Sequence, residues 1–136
     1  LRVIAGTVAG LASPVRTFGA MGYAALELAA GARWRLGAEH EERGVYLVDG
    51  ELAIDGEAVP AGACAVLEAG RAVLLQATAP CRCMVLGGEP ADGPRHIWWN
   101  FVSSSEARIE QARQDWRLGR FPAVPGDAEF IPLPDR

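Results

Sequence analysis

Two Asp-Gly pairs, Asp49-Gly50 and Asp55-Gly56, constrain the fold of this chain more tightly than any other feature. A glycine in such a pair takes up positive φ without steric cost, so each pair marks a tight turn between strands. Between them lie Leu52 and Ile54, which alternate with polar or small neighbours at strand period. The same kind of pattern predicts strands over residues 3–8, 24–29, 44–48, 52–54, 65–67, 72–77 and 82–86, with Pro60-Ala61-Gly62 as a further turn. Many short strands with turns this frequent predict an all-β sandwich or barrel.

Beyond Gly87-Gly88-Glu89-Pro90 the pattern changes. Residues 95–101 read as one more strand, with Ile97, Trp99 and Phe101 on one face and His96, Trp98 and Asn100 on the other. A single helix follows over 104–118. Ser103 and Glu106 fit a capping box, and Ile109, Ala112 and Trp116 form an apolar stripe at helical spacing. Gly119 is placed to end the helix in a left-handed cap. The tail carries Pro122, Pro125, Pro132 and Pro134, so it is expected to run extended, anchored by Phe130, Ile131 and Leu133. With neither repeat nor linker in view, one domain is expected: barrel 1–101, helix 104–118, tail 119–136.

A chain of 136 residues, half of them apolar, can bury a hydrophobic core. No apolar run approaches the roughly 20 residues of a membrane-spanning helix. Residues 1–10 lack the basic start and long apolar core of a secretory leader, so a cytoplasmic setting is expected. The chain starts with Leu rather than Met, as a piece of a longer protein would. A net charge of −4 opposes a nucleic-acid surface, which needs a basic face against phosphates. All the basic residues are Arg and none is Lys; with so much Ala and Gly, this reads as the codon bias of a GC-rich bacterial genome. Cys64, Cys81 and Cys83 are an odd number without a leader, which argues against a disulfide framework.

Gly31 and Gly50 have the spacing of the two ends of the first cupin motif, and Pro60 and Gly62 that of the start of the second. In that motif the metal-ligand positions, normally two histidines and a glutamate, fall here on Gly37, Glu39 and Arg43; the second motif's histidine position is Ala65. The turn residues a barrel needs are present and the ligands are not. A cupin metal centre uses neutral imidazoles and a carboxylate, and only Glu39 offers a donor. Arg43 would put a fixed positive charge where the cation belongs. No metal or other cofactor is therefore expected in this chain.

The blocks His96-Ile97-Trp98-Trp99-Asn100-Phe101-Val102-Ser103-Ser104, Arg108-Ile109-Glu110-Gln111-Ala112, Gly119-Arg120-Phe121 and Val124-Pro125-Gly126-Asp127 resemble the closing segment of pirin-family proteins. Glu39-His40-Glu41-Glu42-Arg43-Gly44 and Gly87-Gly88-Glu89-Pro90 are similar to the second half of the same family. The resemblance implies a cupin-type double-stranded β-helix, or jelly-roll barrel, with one C-terminal α-helix. It also implies a two-barrel parent protein whose N-terminal barrel holds iron or another divalent metal. Some members of the family are quercetin dioxygenases and others act as transcriptional cofactors.

Other constellations admit two readings each. Cys81 and Cys83, at i and i+2 on a strand, share a face and with Cys64 could form a soft-metal or redox site, or they are small core residues. His40 lies among Glu39, Glu41 and Glu42, a cation-binding cluster or an exposed loop at the barrel mouth. His96 could line a pocket or hydrogen-bond between strand and helix. Trp34, Trp98, Trp99 and Trp116 could stack a flat ligand or fill a core, with Trp99 and Trp116 packed together. Arg113, Arg117 and Arg120, interleaved with Glu106, Glu110 and Asp115, read as a solvated ion-paired surface. Two histidines support no catalytic triad, and no Gly-rich loop has phosphate-binding spacing.

Two main expectations follow. The first is a non-catalytic, metal-free cupin module that packs against or regulates a metal-bearing barrel, with Glu39, His40 and Arg43 lining the barrel mouth. Its partner would be the N-terminal half or a second copy in a homodimer. The second is part of a metal-dependent quercetin-type dioxygenase; a protein-interaction module in transcription is a weaker third.

Overall fold

The computed structural model describes residues 1–134; Asp135 and Arg136, the end of the expected tail, lie outside the described residues. In chain order the elements are β1 (Arg2–Val8), β2 (Leu11–Ala12), β3 (Met21–Leu28), β4 (Arg33–Leu36), β5 (Glu42–Asp49), β6 (Leu52–Ile54), β7 (Glu57–Val59), β8 (Cys64–Leu67), β9 (Val73–Ala77), β10 (Cys81–Gly88), β11 (His96–Trp98), β12 (Phe101–Ser103) and α1 (Glu106–Arg117). The chain forms two compact units, Leu1–Pro90 and Ala91–Arg136.

In the first unit β1 to β10 form a six-stranded sheet, order β2-β1-β3-β10-β5-β8, and a four-stranded sheet, order β4-β9-β6-β7. Neighbouring strands are antiparallel throughout. Alternation of side chains sends one face of each sheet into a shared core. Leu26, Val45, Leu47, Cys83 and Val85 come from the larger sheet, and Leu36, Leu52, Val73 and Leu75 from the smaller. Each Val or Leu buried there contributes about 1.5–3 kcal/mol. Two antiparallel sheets around one core make a jelly-roll barrel, the fold the family resemblance implies and one of the sandwich-or-barrel class that the strand and turn pattern predicts.

The turns explain why the fold glycines are where they are. Gly50 joins β5 to β6 with φ 85°, and a Cβ there would lie 2.1 Å from the Pro80 carbonyl oxygen. No side chain fits at that position. Strands β2, β4 and β7 lie outside the expected set: β2 has two residues, too few to show a period, Glu57-Ala58-Val59 in β7 has a single large apolar residue, and the alternation of Arg33-Trp34-Arg35-Leu36 lies within the stretch that carries the cupin spacing.

The second unit departs from expectation at residues 95–101, which form a hairpin rather than one strand. Trp98 pairs with Phe101, and Trp99 at the turn has φ 51°. An alternating apolar pattern reads as a strand, but here Trp99 turns the chain so that its ring meets Trp116 edge-on, with centroids 5.2 Å apart. Helix α1 starts from Ser105, whose side chain makes no capping bond; Ser103 Oγ instead accepts the Ser105 N–H, so the expected capping box is absent. At the other end the Gly119 N–H donates to Trp116 O and the Arg120 N–H to Asp115 O, with Gly119 at φ 63°. That is a Schellman motif, and it places the glycine where the sequence does. Trp116 Nε1 donates to Ile131 O at 2.8 Å and holds the tail against the helix.

Candidate functional site

The place to look for chemistry in this barrel is where β4 runs into β5, because the four metal-ligand positions of the motif lie on or beside these strands. Alternation along β5 directs Arg43, Val45 and Leu47 inward. Arg43 is 5% exposed, the one charged side chain among the buried described residues. Its Nη1 donates to Gly37 O at 2.7 Å, and its Nη2 donates to Glu68 O at 2.5 Å and Arg71 O at 2.8 Å. Gly37 is the first histidine position of the motif. The guanidinium therefore reaches from the carboxylate position to the backbone of a histidine position and draws in the loop after β8.

A buried cation normally needs a carboxylate partner. Here three carbonyl dipoles point their negative ends at it, and the fixed guanidinium fork matches several acceptors at once. Arg43 Nε remains without a partner. The cost of that orphan is carried by the three bonds at the other end of the group.

Glu39 and His40 are also committed to backbone. Glu39 Oε2 accepts the Ala9 N–H at 2.9 Å, and His40 Nε2 lies 2.9 Å from Thr7 O. A carbonyl only accepts, so Nε2 carries the proton in that contact. The imidazole rests in a notch made by two glycines in register, Gly22 on β3 and Gly87 on β10. A Cβ on Gly22 would come within 2.7 Å of His40 Nε2, and one on Gly87 within 2.6 Å of His40 Cδ2. Together the two side chains pin the turn between β1 and β2 to the loop after β4. Glu41 and Glu42 are exposed and border an open groove of ≈ 740 Å³ instead of closing around His40.

Gly37 and Ala65 have no donor, Glu39 faces the turn after β1, and Arg43 is cationic. The four positions do not fit a divalent metal. Among the described residues, no group of three or more His, Cys, Asp or Glu side chains is placed to hold one. The cysteines do not converge either. Cys81 and Cys83 point into the core, where burial pushes the Cys83 thiol up to about 11, whereas Cys64 is exposed on the opposite face of the sheet. His96 is exposed and lines a cleft with Trp98, Glu106, Glu110 and Arg113. Arg113 stacks over Trp98 at 4.4 Å and pairs with Glu110 at 2.7 Å. Of the interleaved charges two pairs form, Arg113 with Glu110 and Arg120 with Asp115 at 3.1 Å, while Arg117 and Glu106 make no ion pair among the described residues.

The fold and this site define a class: a cupin barrel whose ligand positions hold glycine, a diverted glutamate, arginine and alanine. Residues 23–122 match the family model described as the pirin C-terminal cupin domain. The chain belongs to that family. It is 43% identical over 135 residues to a pirin-like protein of Caulobacter vibrioides, covering 98% of this chain and 46% of that protein. A crystal structure of quercetin 2,3-dioxygenase from Acinetobacter baumannii superposes with a TM-score of 0.83 at 26% identity, over 98% of this chain and 48% of that one. A second crystal structure with the same name and organism gives 0.82 at 24% identity, over 90% and 43%. The chain spans about half the length of these proteins. No helix among the described residues is long and apolar enough to cross a membrane.

Proposed function

We propose that this chain is a non-catalytic, metal-free cupin module whose role is to pack against and support a metal-bearing barrel, in a cytoplasmic two-barrel protein. The observation that carries this reading is the Arg43 guanidinium bonded to the carbonyls of Gly37, Glu68 and Arg71. Opening positions for substrate and oxygen on a metal are what dioxygenase chemistry requires. This barrel supplies a fixed cation instead, and its remaining polar groups tie loops together. Glu39, His40 and Arg43 act as braces of the barrel mouth on this reading, without a ligand of their own.

Similarity to proteins named quercetin 2,3-dioxygenase supports a second reading at the level of the whole polypeptide. The activity would then reside in the other half, and this chain would shape or steady it. Oxygen uptake with quercetin separates the readings. Supplied with iron(II), this chain alone is expected to consume no oxygen above the metal blank. Turnover by the isolated chain would contradict the non-catalytic role; turnover only by the two-barrel protein would support both the role and the dioxygenase context.

A further inference from the structure

The tail beyond α1 folds into a loop that returns to the helix. Gly119 ends the helix, and Pro122 and Pro125 prevent its resumption. Val124-Pro125-Gly126-Asp127 then has the pattern of a type II turn: proline second, glycine third at φ 81°, and the Asp127 N–H donating to Val124 O at 3.1 Å. The turn sends the chain back until Ile131 O meets Trp116 Nε1. Inside the loop lies a cavity of ≈ 260 Å³, lined by residues between Trp116 and Phe130. All of them belong to the second compact unit, so the barrel contributes nothing to its walls.

Three of the lining residues are aromatic. Phe121 leans on Trp116 at 58° with centroids 5.5 Å apart, and Phe130 stacks on it at 25° and 6.0 Å. The charged residues of the lining are Asp127 and Glu129, both acidic. Asp127 is fixed in place, its Oδ1 accepting the Glu129 N–H at 2.8 Å. Ring packing explains how the tail is attached. It does not explain two carboxylates at the wall of an apolar cavity, a position that costs them hydration. A cation in the cavity explains both features, because ring faces and carboxylates attract the same sign of charge.

We infer that this cavity binds the head group of a small quaternary ammonium compound, a site separate from the barrel mouth and independent of the packing role proposed above. The rings offer no donor atom to a metal ion. A primary ammonium would exchange its hydrogen bonds to water for ring faces that accept them poorly. A fully alkylated nitrogen has no N–H to satisfy and spreads its charge over methyl groups that pack on the rings. Asp127 and Glu129 also select against a zwitterion that brings a carboxylate of its own.

The test is titration of the whole chain with tetramethylammonium chloride, followed by the indole N–H resonances, with sodium chloride of equal ionic strength as the blank. The Trp116 Nε1–H signal is expected to shift and saturate at millimolar ligand. That of Trp34, packed against the barrel core, should stay in place. tert-Butanol, similar in shape but uncharged, should bind roughly tenfold more weakly or worse. Glu129→Gln, at an exposed position that leaves the rings untouched, should weaken the cation severalfold and leave tert-butanol unchanged. Phe130→Leu should weaken the cation by roughly tenfold; if that variant loosens the tail, Glu129→Gln still decides. No saturable shift at Trp116 would overturn the inference. Equal binding of tert-butanol and the cation would do so too, since the cavity would then be apolar without choosing charge.

Discussion

Gly50→Ala is expected to lower folding stability by about 3–5 kcal/mol, the sum of left-handed backbone strain and overpacking against the neighbouring strand. The added Cβ would lie 2.1 Å from Pro80 O and 2.5 Å from Cys81 Cα, both backbone atoms at the start of β10 that cannot step aside. Since small domains have about 5–15 kcal/mol in total, thermal unfolding followed by circular dichroism should fall by roughly 10–25 °C. Gly62→Ala is the control. Gly62 also has positive φ, 77°, but a Cβ there meets nothing within 4 Å, so only the strain of about 1–2 kcal/mol remains. Similar losses for the two variants would mean that the contact with Pro80 is not what preserves Gly50.

Arg43→Ala is expected to cost about 3–5 kcal/mol by the same assay, because it strands three carbonyls in the barrel mouth and leaves a void. Arg43→Lys should recover part of this, since an ammonium keeps the charge but cannot serve Gly37, Glu68 and Arg71 from one planar group. Arg43→Glu should be worse than Ala. It restores the side chain that the cupin motif calls for, yet aims a carboxylate at carbonyl oxygens, with no histidine at Gly37 or Ala65 to share a metal. An Arg43→Glu protein as stable as the parent would show that the guanidinium is not a keystone of the mouth.

The strands that were legible in the sequence are those bounded by chemical punctuation. Residues 52–54 stand between two Asp-Gly turns, and β6 has those bounds. Residues 44–48 and 82–86 are the middles of β5 and β10, whose ends run a little further because the ladder between them continues from Leu47 and Cys83 to Glu42 and Gly88. The hairpin at Trp99 was not legible, since a tryptophan in a left-handed turn gives no compositional cue. At the site, spacing alone locates Arg43 at a ligand position. What the arginine bonds could not be read, because Glu68 and Arg71 are 25 and 28 residues away. Glu39 and His40 reach partners 30 and 33 residues back, through backbone atoms that no motif identifies. The glycines that admit the His40 ring, Gly22 and Gly87, meet only once β3 and β10 pair.

The outer face of the six-stranded sheet shows the same limit from the other side. Around Tyr46, Met84 and Leu86 the inward neighbours Val45, Leu47, Cys83 and Val85 are also apolar, so each run reads as a buried strand without saying what covers its second face. Register across four strands turns those separate residues into one surface.

Metal content of the purified chain tests the central claim most directly. The protein would be incubated with iron(II), manganese, nickel and zinc, dialysed exhaustively, and assayed by elemental analysis alongside Glu39→Ala. Traces far below stoichiometry, unchanged in the variant, are the expected result and fit a barrel mouth held by Arg43. One equivalent of a single metal, lost on Glu39→Ala, would contradict the account and return catalysis to this barrel.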